Sequence, residues 1–359
     1  MDGKGEIEVI TTMPNRYASF EIPAPTFEQE QNVTIRRIKL PAHRSGKFDQ
    51  SKAFLFFAKE ALKLTKNKEY TLIFATSSRL MTASVGAWIA FRKKTKLYLD
   101  IRDIFIDNIN HIFPSKLAAC FRPVFSILEK CTFSRADKIN IVSQGFKDDF
   151  NLRYPKVALS YFTNGIDPEF LTTAKRINHQ SVDAKPLTVL YAGNIGAGQG
   201  LDGIIPDLAK QLEGRAHFKI IGDGGKRNCL EQAIKDRNCV NVELLSPMNR
   251  KRLIMEYQKA DILFLHLSDY SAYRKVLPSK IFEYAATGKP IWAGLSGYSA
   301  DFVHTELTNT AVFYPGDTTD ALHTFSKLKL ETETRSHFIQ KFSRDSVMSA
   351  MALDILNLV

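Results

Sequence analysis

Long apolar runs are missing from the sequence: no stretch of about 18 residues is apolar enough to predict a membrane-spanning helix. Cysteine is scarce as well. The four cysteines lie far apart without a CxxC pair, which disfavours a zinc site or a disulfide framework and favours reduced thiols. Met1–Gly5 carries no apolar signal-peptide core. We therefore expect a cytoplasmic protein.

Acidic residues are few in the first half of the chain. Residues 1–160 contain 26 lysines and arginines against 16 acids, whereas the rest contains 23 against 22. The net charge of +11 therefore belongs to the N-terminal half. Such a surplus favours an anionic membrane surface, at about 1 kcal/mol per nearby basic side chain, or simply solubility. We expect no nucleic-acid partner, because the basic clusters lack interleaved stacking aromatics and a reading motif.

Two basic segments could provide a membrane contact. Ser51–Lys68 predicts an amphipathic helix with four lysines on one face: Lys52, Lys59, Lys63 and Lys66. Basic and aromatic residues together suit a membrane interface, although an ordinary sheet-covering helix has the same pattern. Arg92–Lys96 is a second basic cluster, or only a loop at a helix end. The membrane contact and the structural alternative both stay open.

The length of 359 residues predicts two domains of roughly 150–170 residues each. Strand-like and helix-like runs alternate, which is typical of α/β folds with parallel sheets. The predicted strands are Ile7–Thr12, Thr34–Lys39, Thr71–Ala75, Lys96–Asp100, Lys138–Val142, Thr188–Ala192, Phe218–Gly222, Val240–Leu244, Ile262–Leu265, Ile291–Ala293 and Ala311–Tyr314. Residues 171–186 are polar and lack periodicity, so they predict an interdomain linker.

The most informative segment is Leu277–Pro290. It predicts a helix that Pro278 introduces and Ser279 caps, followed by a buried strand. Lys280 and Glu283 share one face of the first turn. Such a helix start can hold a phosphorylated ribose, because N–H groups and the lysine bind phosphate while the carboxylate accepts from sugar hydroxyls. An exposed helical salt bridge is the alternative.

Two glycine-rich turns follow predicted strands. Tyr191–Asp202 joins a strand to a helix, where glycines let a ligand approach the backbone. Ile220–Gly225 lacks the third glycine of the dinucleotide-binding fingerprint. Lys226 and Arg227 come next and either supply positive charge or form a solvated basic pair. Taken alone, each turn is weak evidence of a ligand site, since tight connections look the same.

These segments resemble the donor-nucleotide site of retaining GT-B glycosyltransferases, in particular glycosyltransferase family 4, and Asn164–Asp167 is similar to the family's domain junction. The resemblance implies an α/β fold of two Rossmann-like domains facing a cleft, with an acceptor-side domain over 1–168 and a nucleotide-sugar domain over 187–340. Residues 169–186 would link them, and 341–359 would form a helix that crosses back. The family's opening strand, turn and helix are missing, so we expect a first domain without this unit, or a start at an internal methionine.

The resemblance also implies roles on the donor side. Glu283 fits the second acid of the family's paired-glutamate motif and would bind the ribose hydroxyls, while Lys280 would bind the diphosphate. Eight residues before Glu283 the first acid is replaced by Lys275, and Asp269 of the same loop is a candidate replacement. Leu245 would hold the base through backbone groups. The implied donor-binding residues are Gly193, Asn194, Gln199, Gly222, Asp223, Gly224, Lys226, Leu245, Ser279, Lys280 and Glu283.

The acceptor side is suggested by Leu99–Asp107, which ends a strand of the first domain. Ligands of α/β sheets bind at such strand ends. The stretch is similar to one in the family, and Asp103 would orient an acceptor hydroxyl, which makes it a catalytic candidate beside the donor-side lysine and glutamate. Local pairing with Arg102, or capping of the next helix, is an equal alternative. His111 is a lone histidine, and we assign it no role.

The sequence thus predicts a retaining glycosyltransferase that moves a sugar from a nucleotide diphosphate donor to a lipid-linked saccharide in surface-polysaccharide assembly. The Gly-Asn…Gln-Gly-Leu form of the first turn is similar to transferases of N-acetylated amino sugars such as L-fucosamine, and this subgroup implies UDP. No cofactor and no metal are expected, and the protein would lie peripherally on the cytoplasmic membrane face. A UDP-sugar epimerase of GT-B fold and a non-catalytic nucleotide-sugar-binding partner of an assembly complex stay open as alternatives.

Overall fold

The structure is a computed structural model, and it describes residues 5–14, 24–41, 47–77, 80–103, 115–171 and 186–359, with the backbone alone at 47–50 and 115–120. Contacts divide the chain into two compact units. The first contains Met1–Asn140, Lys156–Ser160 and Ala352–Val359, and the second contains Ile141–Pro155 and Tyr161–Met351. The domain boundaries at 168 and 187 stay predictions, and most of the predicted linker lies outside the described residues.

The first half of the chain forms two small sheets. Its strands are β1 (Ile7–Thr12), β2 (Phe27–Glu30), β3 (Val33–Ile38), β4 (Leu72–Ser77), β5 (Lys96–Ile101), β6 (Lys138–Ile141) and β7 (Ala158–Ser160), and its helices are α1 (Lys47–Thr65), α2 (Leu80–Lys93), α3 (Ser115–Ser134), α4 (Lys147–Arg153) and α5 (Pro168–Leu171). One sheet has the order β1-β3-β2, with β1 parallel and β2 antiparallel to β3. The other has the order β4-β5-β6-β7. In β5, five consecutive residues are buried, as in parallel strands covered on both faces.

The second half of the chain forms one sheet of six parallel strands. Its strands are β8 (Leu187–Asn194), β9 (Ala216–Asp223), β10 (Val242–Leu245), β11 (Ile262–His266), β12 (Ile291–Gly294) and β13 (Thr310–Phe313), and its helices are α6 (Leu201–Gln211), α7 (Arg227–Asp236), α8 (Arg250–Lys259), α9 (Lys280–Thr287), α10 (Tyr298–Glu306), α11 (Thr318–Phe325), α12 (Ser336–Phe342) and α13 (Arg344–Leu356). The order across the sheet is β10-β9-β8-β11-β12-β13. It therefore reverses direction between β8 and β11, and ligands of such sheets bind beside the carboxyl ends of the strands at this reversal.

Helices cover both faces of the six-stranded sheet. Successive residues of β8 pack into different apolar clusters: Leu190 and Ala192 lie in one, Val189 and Tyr191 in the other. The first cluster contains residues of α8, α9, α10 and α12, and the second contains residues of α6, α7 and α11. This alternation follows from the two-residue period of a strand and explains why the sequence of β8 is almost continuously apolar.

The predicted α/β class and the predicted strands are confirmed, with ends that coincide or differ by at most two residues. Two strands were missed. β2 has the polar sequence Phe-Glu-Gln-Glu and gives no apolar alternation, and β7 is three residues long. β10 begins at Val242 rather than Val240, whose side chain is 80% exposed.

The predicted turn at Asn164–Pro168 also ties the chain together. Gly165 has a φ of 71°, which glycine adopts without strain. The N–H of Ile166 donates to the Phe342 carbonyl at 2.7 Å, and the Arg344 N–H donates to the Ile166 carbonyl at 2.9 Å. The carboxylate of Asp167 forms ion pairs with Arg250 and Arg344. Two distant segments thus meet at this turn within the second unit.

One carboxylate fixes the C-terminal residues in the first unit. Asp354 accepts hydrogen bonds from the Tyr98 hydroxyl at 3.0 Å and the Ser160 hydroxyl at 2.6 Å, and it also forms an ion pair with Lys138. Partial burial by itself would raise the pKa of Asp354, but the bonds from Lys138, Ser160 and Tyr98 outweigh it, and the pKa lies below its ordinary value. The charged form is therefore the one that stabilises the folded state.

We expect Asp354→Asn to lower the free energy of unfolding of the first unit by about 1–3 kcal/mol near neutral pH. Because the folded-state pKa is lowered, this contribution is present above the ordinary carboxyl pKa and is lost as the pH falls through the folded value. Urea unfolding of both proteins at a series of pH values measures it. Asp345→Asn is the matched control, since it removes the same charge from an exposed position of the same helix. Equal stability losses in both variants would contradict the assignment.

Candidate functional site

The strand reversal brings three strand ends together. β8 ends at Gly193 and Asn194, β9 at Gly222 and Asp223, and β8 and β9 pair in register there. β11 ends at His266 on the other side of β8. The two predicted glycine-rich turns therefore lie at the point where a sheet of this topology holds its ligand.

The glycines of the second turn are explained by contacts between the strand ends. A Cβ atom on Gly222 would lie 1.8 Å from the Gly193 carbonyl oxygen, and one on Gly224 would lie 2.4 Å from the Ile195 carbonyl oxygen. The Ile195 N–H donates to the Asp223 carbonyl at 2.8 Å, and the Lys226 N–H donates to the Ile195 carbonyl at 2.9 Å. No side chain fits at either glycine. The two turns are therefore joined directly, which holds the first turn in one position.

Lys280, the first residue of α9, lies across the end of β8. A Cβ atom on Gly193 would meet the Lys280 Cε atom at 2.3 Å and its Nζ atom at 3.1 Å, so only glycine leaves room for this side chain. Lys280 is half-buried. Burial lowers the pKa of its ammonium, and the nearby Glu283 carboxylate offsets part of this lowering. Among the described residues, no carboxylate or hydrogen-bond acceptor pairs with this ammonium.

An unpaired, largely desolvated cation is costly, and folded proteins normally give such a group a partner. Here the ammonium lies over a glycine backbone at the strand reversal. A side chain retained in this way is suited to an anion that arrives from outside. The arrangement can therefore bind a phosphate or another small anion beside the end of β8.

Glu283 lies one turn further along α9, and its carboxylate accepts a hydrogen bond from a buried tyrosine. The Tyr257 hydroxyl donates to Glu283 Oε2 at 3.1 Å, and Tyr257 itself is 1% exposed. The ring of Tyr257 packs edge-on against Tyr284 at 5.3 Å, and the Tyr284 hydroxyl accepts the Ala192 N–H at 3.2 Å. Within the described part of the chain, no other hydrogen bond reaches the Glu283 carboxylate. Its second oxygen is therefore available to accept from a ligand.

The predicted cap at Ser279 is wrong. Ser279 already has helical dihedral angles, φ −58° and ψ −26°, and its side chain forms no capping bond. An N-cap side chain reaches the helix N–H groups only from an extended backbone. The N–H groups of Ile281 and Phe282 instead donate to the Pro278 and Ser279 carbonyls at 3.1 Å. The helix start thus contributes fewer free donors than expected, and the positive charge of the site comes chiefly from Lys280.

The polar side chains predicted to bind the donor, Asn194, Gln199 and Lys226, form hydrogen bonds or ion pairs within the protein. The Asn194 amide donates to Gln199 Oε1 at 2.8 Å, and the Gly196 N–H donates to the same oxygen at 3.2 Å. The Lys226 ammonium pairs with Asp202 at 3.2 Å. These residues shape the turn that faces Lys280. Of Asn194, Gln199 and Lys226, only Asn194 is classed as exposed, so its side chain is the most accessible to a ligand.

The residues predicted to lie near the base are joined by Arg227. Arg227 donates to the Gly222 carbonyl at 2.5 Å and to the Leu245 carbonyl at 3.1 Å, which links the ends of β9 and β10. Asp223 is exposed, and its carboxylate accepts the Gly224 N–H at 2.8 Å. A base bound by the Leu245 backbone, as predicted, would therefore contact its N–H, or contact its carbonyl together with Arg227.

His266 was missed in the sequence. Its Nδ1 lies 2.6 Å from the Gln199 carbonyl oxygen, and its Nε2 accepts the Gly316 N–H at 3.0 Å. These bonds assign the proton to Nδ1, and burial lowers the pKa, so the ring is neutral. The ring joins the first glycine-rich turn to the loop after β13. Its position at the end of an apolar strand-like run was the available signal.

The loop before α9 has its own ion pairs. The Lys275 ammonium pairs with Asp149 at 2.5 Å, and its carbonyl accepts from the Ser143 hydroxyl at 2.5 Å. Asp269 accepts from Arg274, Tyr314 and Ser296, and these bonds, led by the one from Arg274, hold its pKa far below the usual range. Asp269 is therefore fully engaged in fixing the loop, which disfavours it as the replacement acid.

The acceptor-side candidate lies in the first unit. Asp103 is exposed just after β5. Asp100, before it, is 1% exposed and accepts from Thr76 and Asn140 at 2.8 Å and from Arg102 at 3.1 Å. Arg102 thus bonds Asp100, and the pairing of Asp103 with Arg102 stays a prediction. Phe105–Asp107 and His111 lie outside the described residues.

The described residues contain no group of three or more histidine, cysteine, aspartate or glutamate side chains arranged to hold a metal ion. Within the same ranges, no helix is both long enough and apolar enough to cross a bilayer.

Comparison with known sequences gives a family match in the second half of the chain. Residues 174–344 match the family model described as Glycosyl transferases group 1. An Escherichia coli protein named as a colanic acid biosynthesis glycosyl transferase, WcaI, is 29% identical over 128 residues, which cover 36% of this chain and 30% of that protein. The matched part thus spans less than a third of this relative. Both matches are to proteins described as glycosyl transferases.

Comparison with solved structures extends over nearly the whole chain. Sucrose-phosphate synthase from Thermosynechococcus elongatus has a TM-score of 0.71 at 14% identity and covers 98% of this chain and 89% of its own. HepE from Anabaena in complex with UDP has a TM-score of 0.65 at 15% identity, covering 90% and 86%. The lipopolysaccharide outer core galactosyltransferase WaaB has a TM-score of 0.63 at 12% identity, covering 90% and 85%. The predicted GT-B class, an α/β fold with Rossmann-like parallel-sheet domains, is confirmed.

If the Lys280 ammonium is uncompensated, its removal should stabilise the protein. We expect Lys280→Met, which keeps the length of the side chain, to raise the free energy of unfolding of the second unit by about 1 kcal/mol. Urea denaturation without ligand measures this. Lys210→Met is the matched control, because Lys210 is exposed and pairs with Glu213, and it should change stability by less than about 0.5 kcal/mol. A stability loss for Lys280→Met would show that the ammonium has a partner.

Proposed function

We propose that the chain is a retaining glycosyltransferase that transfers a sugar from a UDP-sugar to a lipid-linked saccharide in surface-polysaccharide assembly. The observation that carries this proposal is the unpaired Lys280 ammonium at the strand reversal, one helical turn from a carboxylate with a free oxygen. The positive charge suits a diphosphate, and the carboxylate suits the hydroxyls of a ribose. A nucleoside diphosphate has both groups.

The chemistry follows from where charge develops. When the bond from the anomeric carbon to the diphosphate breaks, negative charge grows on the leaving oxygens. A cation already fixed beside them stabilises the transition state without reorganisation. Lys280 would provide this charge, and Asn194 and the glycine-rich turn would line the same anion. Glu283 would orient the nucleotide, and Asp103 of the first unit would orient the acceptor hydroxyl.

Names of similar proteins support the substrate class. HepE has been solved with UDP and with UDP-glucose. WcaI is named for colanic acid biosynthesis, and WaaB for the lipopolysaccharide outer core. The Gly193-Asn194 and Gln199-Gly200-Leu201 segments resemble the family 4 transferases of N-acetylated amino sugars, so a UDP-linked N-acetylated amino sugar is the donor to test first.

The direct test is donor titration followed by product analysis. The purified chain is titrated with UDP-, GDP- and dTDP-sugars by calorimetry and then supplied with a lipid-linked saccharide. Retention is read from the anomeric configuration of the product by NMR. We expect transfer to continue in EDTA, because Lys280 supplies the charge that a divalent ion would otherwise provide. Failure to bind any of the three donor classes would refute the enzyme proposal.

Lys280 should account for much of the nucleotide affinity. A charge-assisted bond to phosphate contributes about 1.5–3 kcal/mol, so we expect Lys280→Met to weaken UDP binding by roughly 10–100-fold. Calorimetric titration with UDP measures the change, and Lys210→Met should bind as the parent does. Similar affinities for the parent and Lys280→Met would exclude the diphosphate role.

Tyr257 should act through Glu283 on the ribose. We expect the parent to prefer UDP over 2′,3′-dideoxy-UDP, Glu283→Ala to lose this preference, and Tyr257→Phe to reduce it by about fivefold, because one hydrogen bond no longer orients the carboxylate. The ratio of the two dissociation constants separates positioning from general loss of folding. Tyr98→Phe removes a tyrosine hydroxyl bonded to an aspartate in the first unit and serves as control. An unchanged ratio in Tyr257→Phe would contradict the role.

A second candidate is a non-catalytic nucleotide-sugar-binding partner of an assembly complex. The observation that favours it is the lysine at position 275, which is tied to Asp149 where the resembling enzymes have an acid. Such a protein would bind UDP-sugars as above and release neither UDP nor product with any acceptor. A GT-B epimerase is distinguished by a changed sugar when no acceptor is added.

A further inference from the structure

Two aromatic side chains at the end of α2 lie open to solvent. Trp88 is 52% exposed and Phe91 is 57% exposed. Their rings are neighbours, with centroids 6.1 Å apart. Isolated exposed apolar residues are normal, but adjacent exposed aromatic rings mark a surface that contacts something else.

Basic side chains lie beside the ring of Phe91. The Arg135 guanidinium lies 5.8 Å from the centroid of Phe91. A shallow cavity of about 530 Å³ is lined by Phe91, Arg92, Lys94 and Arg135. We refer to Trp88, Phe91, Arg92, Lys94 and Arg135 as the basic–aromatic surface. The end of α1 joins it, because the Lys93 ammonium donates to the Lys66 carbonyl at 2.6 Å.

The charges of this surface are uncompensated. Among the residues that the structure describes, Arg92, Lys94 and Arg135 form no ion pair with a carboxylate, whereas nearby Lys96 pairs with Asp137 at 3.2 Å. The lining of the cavity contains no acid. The surface thus combines a net charge of one sign with two exposed aromatic side chains, Trp88 and Phe91. The N-terminal half, which contains it, also has the basic surplus of the whole chain.

We propose that the basic–aromatic surface docks on an anionic phospholipid bilayer. Charge complementarity selects this occupant, because lipid phosphates attract the three cations while the two aromatic rings enter the interfacial zone that tryptophan prefers. This inference rests on the proposed function in one respect: the bilayer would present the lipid-linked acceptor. The proposed membrane contact thus lies at the end of α2, and not on the lysine face of α1 that the sequence suggested.

The tryptophan content makes a direct test possible. The sequence has two tryptophans, and Trp292 is fully buried in the second unit, so a response to lipid reports on Trp88. The full chain is mixed with vesicles of phosphatidylcholine alone or of phosphatidylcholine with phosphatidylglycerol. We expect a blue shift, and quenching by brominated acyl chains, only with the anionic vesicles, and reversal by salt. An equal response to both vesicles, or none to either, would overturn the proposal.

A charge-removal series gives the second arm of the test. The triple variant Arg92→Ser, Lys94→Ser, Arg135→Ser should lower partitioning to anionic vesicles roughly 100-fold. The control triple Lys210→Ser, Lys235→Ser, Lys259→Ser removes the same charge from exposed positions of the second unit and should bind vesicles as the parent does. Equal loss in both triples would overturn the proposal, as would tighter binding of duplex DNA or RNA than of anionic vesicles at the same salt.

UDP titration of both triples separates this inference from the proposed function. Unchanged UDP affinity in the surface triple, together with lost vesicle binding, supports the docking surface. Vesicle binding that is unchanged in the surface triple refutes it, whatever the UDP affinity. Absence of UDP binding in the parent would refute the proposed function alone, because the fluorescence response of Trp88 does not depend on a nucleotide.

Discussion

The rest of the candidate site depends on one uncompensated charge, the Lys280 ammonium at the reversal of the second sheet. Its position is set by three features that the fold provides. α9 begins beside the end of β8, Gly193 leaves room for the lysine stem, and the strand order opens a crevice there. A lysine at the same helix position in a sheet without this reversal would reach solvent and need no ligand.

The elements around this ammonium are held rigidly by bonds that do not involve it. Buried tyrosines join α8, α9 and β8, and one of them holds a single oxygen of Glu283. His266 joins the first glycine-rich turn to the loop after β13. Asp269 joins Arg274 of its own loop to Ser296 after β12 and Tyr314 after β13. A ligand would therefore meet groups already in position, which is the condition for strong electrostatic stabilisation of a transition state.

Local sequence was sufficient for eleven of the thirteen described strands, for the α/β class and for the placement of Lys280 and Glu283 one turn apart on α9, because each depends on spacing within a few residues. It failed where the deciding contact comes from far along the chain. Lys275 meets Asp149, 126 residues away, and no local pattern announces that pair. The cap at Ser279 failed for a different reason: the residue has helical rather than extended dihedral angles, and its side chain forms no bond to the helix N–H groups. β2 was missed because its polar residues pair at a sheet edge, where apolar alternation is not required.

The neighbouring cations show why Lys280 in particular is the anion-binding group. Within residues 186–359, Lys226 is paired with Asp202 and Arg274 with Asp269, while Arg227 is bonded to two carbonyl groups. Lys275 is neutralised by Asp149. Each of these groups already has the partner that a basic side chain requires, and recruiting it to a ligand would break an existing bond. Among the described residues Lys280 has no such bond to break, so the net gain from binding an anion is largest there.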